Sequence, residues 1–306
     1  MSMLRRLLFA SIAFCLTAIL HGTSYAERHI LEDERVIVSF DAPLQNAASE
    51  VLQAYPAVRK ELSGDLGWRT EFRPHVVLIK DSASFRRVAN SDLFIAHAIP
   101  REDLIVIDYS RMNVHPFTLE TTLKHELCHL ELHHHIAAKN LPRWFDEGIC
   151  QWVTGGLAEI MTAGNRSTLR DAALSHQLIS FEGLAERFPA DGRDLLLAYE
   201  ESKSIVEYIK KEFGASGVRG ILEYMSKGED LENAVRKSLL ISPDELEKRW
   251  RSSIVERTSW VSYSADNIYE ILFLFAALIT VYGFFLMLKR KREYKDEEEE
   301  GDEGKI

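Results

Sequence analysis

The segment His125-Glu126-Leu127-Cys128-His129 decides how this sequence of 306 residues is interpreted. On a helix, residues four apart lie about 40° apart around the axis and one turn along it. His125 and His129 can therefore offer their imidazoles to one metal ion. Glu126 points from the same rim toward the open side of that ion, where its carboxylate can hydrogen-bond a water molecule. The spacing thus predicts two metal ligands and a general base.

A third ligand is needed, because catalytic zinc sites use three protein ligands and leave a fourth position for water. Two residues compete for this role. His135 follows His129 by six residues, as the third histidine does in the pattern His-Glu-x-x-His-x-x-Gly-x-x-His. That pattern needs its glycine to turn the chain back to the metal, and this chain has Leu132 at the glycine position. If the helix continues, His135 is rotated about 240° from His129 and faces away. Glu147 is the favoured ligand, because a second helical pattern at 142–153 would return it to the histidine pair.

The residues around both motifs resemble a known family. The pattern His125-Glu126-Leu127-x-His129, followed by Leu141-Pro142-Arg143-Trp144-Phe145-x-Glu147-Gly148, is similar to the gluzincin-type peptidase MA-like domain of bacterial zinc metallopeptidases. Weaker similarity recurs in the segments 198–202, 208–214 and 246–250, so the resemblance covers residues 75 to 255. The chain departs from the family at Cys128 and Cys150, where small residues are usual, and at Gln151, where an acidic residue is common.

The resemblance implies an α+β fold, with a zincin-like metallopeptidase domain made of a small mixed sheet, an active-site helix and a helical C-terminal half. It implies Zn²⁺ on His125, His129 and Glu147, with Glu126 as the general base and a protein or peptide as the substrate. Tyr199 matches the Ala-Tyr element of the family, and its hydroxyl is a candidate donor to the tetrahedral oxyanion. A tyrosine that is simply packed on its helix is the alternative.

The apolar pattern predicts the same succession of elements. Strands are expected at 36–40, 76–80 and 104–108, with a helix at 42–62 and a hairpin at 93–108. After the metal motifs, helical spacing recurs at 195–213, 218–225, 231–238 and 243–255. An extended peptide substrate is expected to pair with an edge strand, either 95–99 or 104–108.

Two apolar segments predict export and a membrane anchor. Residues 1–26 have the form of a signal peptide, with Arg5-Arg6 before the apolar run and Ser24-Tyr25-Ala26 as the cleavage site. An uncleaved anchor is the alternative. Residues 268–288 are long enough to span a bilayer as a helix, and a buried core helix is the alternative. The basic run Lys289 to Arg292 belongs on the cytoplasmic side.

These segments predict a domain order and a location. The order is a signal peptide at 1–26, an extracytoplasmic peptidase domain at 27–258, a juxtamembrane linker at 259–267, a transmembrane helix at 268–288 and a charged cytoplasmic tail at 289–306. The protein is therefore expected in the cell inner membrane as a single-pass protein, with its catalytic domain in the periplasm. The membrane is contacted through the C-terminal helix.

The charge distribution supports this interpretation and excludes one class of partner. Residues 293–306 contain eight acidic and two basic side chains and so carry −6 of the net charge of −10. Such a segment is expected to be a disordered, solvated tail. Charge is close to balance in the rest of the chain, so no nucleic-acid partner is predicted.

Two cysteines lie one helical turn from metal ligands. Cys128 follows His125 by three residues, and Cys150 follows Glu147 by three. A disulfide between them would join the two ligand helices in an oxidising compartment. Two buried thiols are the alternative.

Other polar residues near the motifs are given lesser roles. His133 and His134 are expected to solvate the end of the helix rather than bind metal. Gln151 is a candidate to accept the ring N–H of a ligand histidine. His97, His115 and His176 have no partner motif and are treated as ordinary residues.

The sequence therefore predicts a membrane-anchored, zinc-dependent metallopeptidase that hydrolyses peptide bonds outside the cytoplasm. Two other functions stay open: a catalytically silent, zinc-stabilised interaction module, and a hydrolase of non-peptide amides such as those of the cell wall. The first would be expected to lose Glu126 or a ligand, and all four residues are present. The second shares the metal chemistry and differs only in its substrate.

Overall fold

The computed structural model describes residues 28–89, 94–112, 117–155, 168–189, 192–257 and 267–303. The chain divides into two compact units, of which the first comprises Met1–Arg166 and Ile179–Pro243 and the second Ser167–Leu178 and Asp244–Ile306. The sheet and both metal motifs belong to the first unit. The predicted signal peptide lies outside the described residues, and so does the predicted linker apart from Asn267.

Among the described residues, five strands form one mixed sheet in the first unit. They are β1 Arg28–Glu32, β2 Ile37–Asp41, β3 His75–Ile79, β4 Ala96–Ile99 and β5 Leu104–Asp108, in the order β1-β2-β3-β5-β4. The central strands β2, β3 and β5 are parallel, whereas β1 and β4 pair antiparallel at the two edges. The three predicted strands are therefore the parallel centre, where long apolar runs are buried on both faces.

The predicted hairpin is confirmed and settles which strand is an edge. Strand β4 pairs with β5 from Ala96↔Ile107 to Ile99↔Leu104. Because β5 also pairs with β3, it has no open side, and the expectation that a peptide could pair with residues 104–108 is wrong. The open edge next to the hairpin belongs to β4.

The helix predicted between the first two strands is present, but it begins and ends three to four residues later than expected. Helix α1 runs from Gln45 to Leu66 and ends where Gly67, at φ 84°, donates its N–H to the carbonyl of Ser63. Its buried residues Val51, Tyr55, Val58 and Leu62 recur every three or four positions and form one apolar face. A short helix that the sequence analysis did not predict, α2 at Ser82–Ala89, follows β3.

The metal motifs lie on the next two helices, and a long helix packs behind them. The motifs lie on α3 Leu119–His135 and α4 Arg143–Val153, and the long helix is α7 Gly192–Ser226. The other helices up to residue 239 are α5 Thr168–Leu174, α6 Phe181–Ala185 and α8 Leu231–Leu239. Gly214, at φ 74° and ψ 174°, interrupts α7 at the break predicted between two helices. The short helices α5 and α6 were not predicted.

Gly148 allows α4 to approach α7 closely. A Cβ atom at this position would lie 2.5 Å from the carbonyl oxygen of Ser202 and 2.8 Å from Cγ2 of Val206. Only glycine permits this separation, because real Cβ contacts are not so short. Helix α7 can therefore present Tyr199 directly beside Glu147.

The second unit contains α5, together with α9 Pro243–Arg257, apart from Pro243 itself, and α10 Ile268–Glu303. Within α10, Ile268–Arg290 is long and apolar enough to cross a membrane. Its apolar side chains are exposed, so the alternative of a buried core helix does not describe them. The helix continues through the acidic residues to Glu303, which corrects the prediction of a disordered tail over this stretch.

Candidate metal centre

Helix α3 brings His125, Glu126 and His129 to one buried edge. The helix begins after Thr118, whose side-chain oxygen accepts a hydrogen bond from the N–H of Thr121 at 3.2 Å. This cap satisfies a backbone donor at the helix start. The three motif side chains are 0 to 7% exposed. The Nε2 atoms of the two histidines lie 3.2 Å apart, so both rings point to the same place.

Helix α4 returns Glu147 to this point, as the sequence predicted. Oε2 of Glu147 lies 3.6 Å from Nε2 of His129 and 4.0 Å from Nε2 of His125. Ligand atoms that share one zinc ion in a tetrahedron, with bonds of about 2.0–2.1 Å, are separated by about 3.4 Å. Two imidazole nitrogens and one carboxylate oxygen at these separations therefore fit a catalytic zinc ion with an open fourth position.

The competing ligand, His135, lies elsewhere. Helix α3 continues past Leu132, and the His135 ring stacks on Trp68 with centroids 4.4 Å apart. Its Nε2 lies 3.6 Å from Oε2 of Glu131. His134 likewise turns away and pairs with Asp103 at 2.5 Å. The geometry thus favours Glu147 over His135.

Asp146 connects two histidines and was missed by the sequence analysis. Its Oδ1 lies 2.8 Å from Nδ1 of His129, and its Oδ2 lies 3.1 Å from Nε2 of His133. Burial acts to raise the pKa of this carboxyl, but the charges and hydrogen bonds of the two histidines outweigh it and hold the pKa well below its usual range. The carboxylate can thus fix the ring of His129 with Nε2 directed at the metal position.

His133 and Gln151 differ from their predicted roles. His133 is not only a helix-end residue, because it shares Asp146 with His129 and lines the cleft. Gln151 does not accept from a ligand histidine. Its amide nitrogen instead donates to the carbonyl of Tyr199 at 3.2 Å, which ties α4 to α7.

Tyr199 reaches the candidate metal ligand Glu147 from α7. Its hydroxyl donates to Oε1 of Glu147 at 3.2 Å, and its ring packs edge-on against Phe188 with centroids 5.1 Å apart. The hydrogen bond engages the oxygen of Glu147 that is further from the histidines. Tyr199 therefore orients this carboxylate so that Oε2 faces the two Nε2 atoms.

An open cleft of about 720 Å³ leads to these residues. Its walls come from the β4 hairpin, the ends of α3 and α4, the rim near α6, and Tyr199. The lining residues are Phe94, His97, Ala98, Pro100, Glu126, His129, His133, Ala138, Lys139, Leu141, Pro142, Arg143, Asp146, Glu147, Ala185, Glu186 and Tyr199. His97, which the sequence analysis left without a role, is thus a cleft residue.

Cys128 and Cys150 lie behind the metal centre as buried free thiols. Burial, together with the neighbouring Cys128, raises the pKa of the Cys150 thiol well above its usual range. Of the two alternatives from the sequence, this structure has the pair of thiols rather than the disulfide. Their helices are nevertheless adjacent at this point.

Comparison with known proteins identifies the family. Residues 96–256 match the sequence model of the Peptidase MA superfamily. The comparison with curated protein sequences gave no match.

Several solved structures show a remote likeness. Yeast LTA4 hydrolase in complex with bestatin is 12% identical at a TM-score of 0.45, over 76% of this chain and 38% of that chain. The M1 zinc metallopeptidase from Deinococcus radiodurans is 13% identical at a TM-score of 0.44, over 74% of this chain and 51% of that chain. Aminopeptidase A of Legionella pneumophila, in complex with aspartic acid, is 14% identical at a TM-score of 0.41, over 73% of this chain and 28% of that chain. The chain therefore spans about half or less of the length of these proteins.

Proposed function

Because the chain belongs to the Peptidase MA superfamily, we propose that it is a zinc-dependent peptidase with His125, His129 and Glu147 as metal ligands and Glu126 as the general base. The observation that carries this proposal is the convergence of two Nε2 atoms and one carboxylate oxygen at separations of 3.2 to 4.0 Å. Glu126 lies beside them and lines the same cleft.

The side chains of the cleft have complementary roles in peptide hydrolysis. When bound, zinc supplies Lewis-acid chemistry that makes a water molecule more acidic and polarises a carbonyl group. Glu126 accepts a proton from the attacking water while the oxygen of that water bonds to the carbonyl carbon. Glu126 then gives this proton to the nitrogen that leaves as the C–N bond breaks, so that one water is consumed and an amine and a carboxylic acid are formed.

Tyr199 has two roles in this proposal, as a donor to Glu147 and as a donor to the oxyanion. It cannot perform both at once, because its hydroxyl has a single proton to donate. In the resting site it donates to Glu147 and holds that ligand in place. To donate to the oxyanion of the tetrahedral intermediate, it must release Glu147 first. The packing of its ring against Phe188 keeps the hydroxyl within the cleft during this exchange.

We place the peptide substrate along the open edge of β4. His97 and Ala98 of this strand line the cleft, and among the described strands β4 pairs only with β5. An extended peptide can add main-chain hydrogen bonds to such an edge. This placement brings a carbonyl group of the substrate past Glu126 without requiring a particular side chain.

We further propose that the protein is a single-pass protein of the cell inner membrane, with the peptidase domain outside the cytoplasm. The support is the apolar helix Ile268–Arg290 and the basic run that ends it. Basic residues favour the cytoplasmic side, which leaves the preceding domain on the other side.

The ligand assignment is tested by the zinc content of the purified full-length protein in detergent. Glu147→Ala should lose the stoichiometric zinc that the parent protein retains, because two ligands bind a catalytic zinc ion much more weakly than three. His135→Ala is the matched control and should keep its zinc. Retention of zinc in Glu147→Ala together with loss in His135→Ala would contradict the assignment and restore the alternative register.

A further inference from the structure

The cleft carries charges that the hydrolytic mechanism does not use. Glu126, Asp146 and Glu147 belong to the metal centre and its support. The other formally charged residues that line the cleft within the described part of the chain are Lys139, Arg143 and Glu186. The two cations lie close together in sequence. Lys139 is in the short 3₁₀ turn Ala138–Asn140 before α4, and Arg143 is the first residue of α4.

Contacts with the metal centre fix the position of Arg143. Its guanidinium carbon lies 4.8 Å from the centroid of the Phe188 ring, and Phe188 is 5% exposed. A guanidinium over an aromatic face is held by a cation–π interaction, and this ring also packs on Tyr199. One guanidinium nitrogen lies 3.8 Å from Oε1 of Glu147, the oxygen that also accepts from Tyr199. Arg143 is therefore separated from the metal position by a single carboxylate.

The side chain of Arg143 is 39% exposed, so the guanidinium is accessible from the cleft while it contacts Glu147. A guanidinium has five N–H donors in a planar fork and can serve two acceptors at once. The fork matches the two oxygens of a carboxylate better than it matches any neutral group of a peptide. Lys139 adds a second positive charge to the same wall.

On the basis of the proposed peptidase function, we propose that Arg143 is a specificity-determining residue that binds a carboxylate of the substrate next to the cleaved bond. The substrate class is then an acidic peptide, in which the carboxylate belongs either to an Asp or Glu side chain or to the C-terminus. Because an extended peptide rises about 3.3 Å per residue, a carboxylate on Arg143 would lie within about two residues of the reacting carbonyl.

A purely structural role for Arg143 makes a different prediction. If the guanidinium served only to offset the charge of Glu147, its removal would weaken zinc binding and would affect acidic and neutral peptides alike. If it binds the substrate, its removal affects the acidic peptides alone. The two roles are therefore separated by substrate charge rather than by loss of activity.

The test measures peptide binding to the zinc-loaded full-length protein in detergent, in a Glu126→Gln background that prevents turnover. The probes are fluorescein-labelled hexapeptides with amidated C-termini, in which a single Glu is moved through the sequence and compared with Gln at the same place. A third set contains Gln and a free C-terminal carboxylate. We expect the best Glu peptide, or the peptide with the free carboxylate, to bind about tenfold more tightly than its neutral counterpart.

Three substitutions in the same background then locate this preference. Arg143→Met should remove most of the difference in affinity between the charged and neutral peptides, because the charge of Arg143 is lost and only that of Lys139 remains. Arg143→Lys should restore part of the preference, because it keeps the charge without the fork. Arg236→Met removes an exposed arginine that pairs with Glu232 on α8 and should leave the preference unchanged. Which set of peptides responds shows whether the carboxylate comes from a side chain or from the C-terminus.

Two results would overturn the proposal. One is equal binding of charged and neutral peptides by the parent background, a comparison that needs no variant of Arg143 to fold. The other is an undiminished preference in zinc-loaded Arg143→Met. The proposed peptidase function is tested separately by cleavage in the protein with Glu126 intact. A protein that discriminates charge but cleaves nothing keeps the carboxylate-binding role of Arg143 and loses the peptidase function, whereas a protein that cleaves without discrimination keeps the peptidase function and loses that role.

Discussion

At the scale of single residues, the metal centre depends on a carboxylate that is not itself a ligand in the proposed site. Oδ1 of Asp146 lies 2.8 Å from Nδ1 of His129, and a hydrogen bond from a protonated Nδ1 would leave the lone pair of Nε2 directed at the proposed metal position. The same carboxylate holds His133 at the wall of the cleft. Because Asp146 precedes Glu147 directly, α4 carries both a proposed ligand and the carboxylate that contacts another proposed ligand.

We predict that Asp146→Asn will weaken zinc binding about 10- to 100-fold, because the amide keeps the size of the side chain but loses the charge that orients His129. Competition with a chelator in the full-length protein measures this affinity. Asp103→Asn is the matched control, because Asp103 also pairs with a histidine of α3, His134. Asparagine tolerates the left-handed backbone of position 103, where φ is 51°. Equal affinities of the two variants would show that Asp146 does not support the site.

The sequence was informative about residues whose relation is local. His125, Glu126 and His129 lie within one helical turn, so their convergence follows from helix geometry alone. Glu147 could be chosen over His135 because no glycine ends α3 at Leu132. The partners of Asp146 and Gln151 depend on how α4 is rotated against α3 and α7, and no local pattern specifies this rotation.

At the scale of elements, the centre is held by the close packing of α4 on α7. The packing places Tyr199 beside Glu147, and the amide of Gln151 joins the same two helices through the carbonyl of Tyr199. The contact requires that α4 has no side chain at Gly148. A change that separates the two helices should therefore disturb the geometry of Glu147 without touching any metal ligand.

We predict that Gly148→Ala will lower the free energy of unfolding by about 1–3 kcal/mol, since the added methyl group has no space beside the carbonyl of Ser202. Thermal unfolding of the zinc-loaded protein measures the effect. Gly64→Ala is the control, because that helical position in α1 has no atom within 4 Å of the added Cβ and alanine there should be neutral or stabilising. A Gly148→Ala protein as stable as the parent would contradict the described packing.

Elements with a strong apolar pattern were predictable, and marginal ones were not. The parallel strands β2, β3 and β5 are buried runs, and α1 has a regular apolar face. Strand β1, with alternating exposed residues at the sheet edge, gives a weaker pattern. The helices α5 and α6 have seven and five residues, which is too short for helical periodicity to be distinguished from a turn.

At the scale of the whole molecule, the sequence predicts an orientation across the membrane. When the protein is expressed in bacteria, protease added outside intact spheroplasts should digest residues 27–267 and leave a tag after Ile306 protected. The reason is the basic run Lys289 to Arg292, which favours the cytoplasmic side of the apolar helix. Protection of the tag should be lost when the spheroplasts are lysed. Digestion of the tag in intact spheroplasts would contradict both the orientation and the compartment.

The class of the fold was predictable because the two metal motifs and the succession of strands and helices agree. The mixed sheet, the active-site helix and the helical half that follows were all expected, and the family match covers 96–256. The position of β5 inside the sheet was not, because strand order results from long-range pairing rather than from local pattern. The continuation of α10 to Glu303 does not follow from the sequence, since a run of like charges is typical of disordered segments.

The most direct test of the central claim is the substitution Glu126→Gln in the full-length protein. Glu126 is not a ligand in the proposed mechanism, so zinc content and thermal stability should stay close to those of the parent. Cleavage of a peptide selected from a library should fall by at least about a hundredfold, because general-base assistance is typically worth that much. Undiminished cleavage by the zinc-loaded variant would contradict the proposed mechanism, and an absence of cleavage by the parent across the library would favour a zinc-stabilised interaction module.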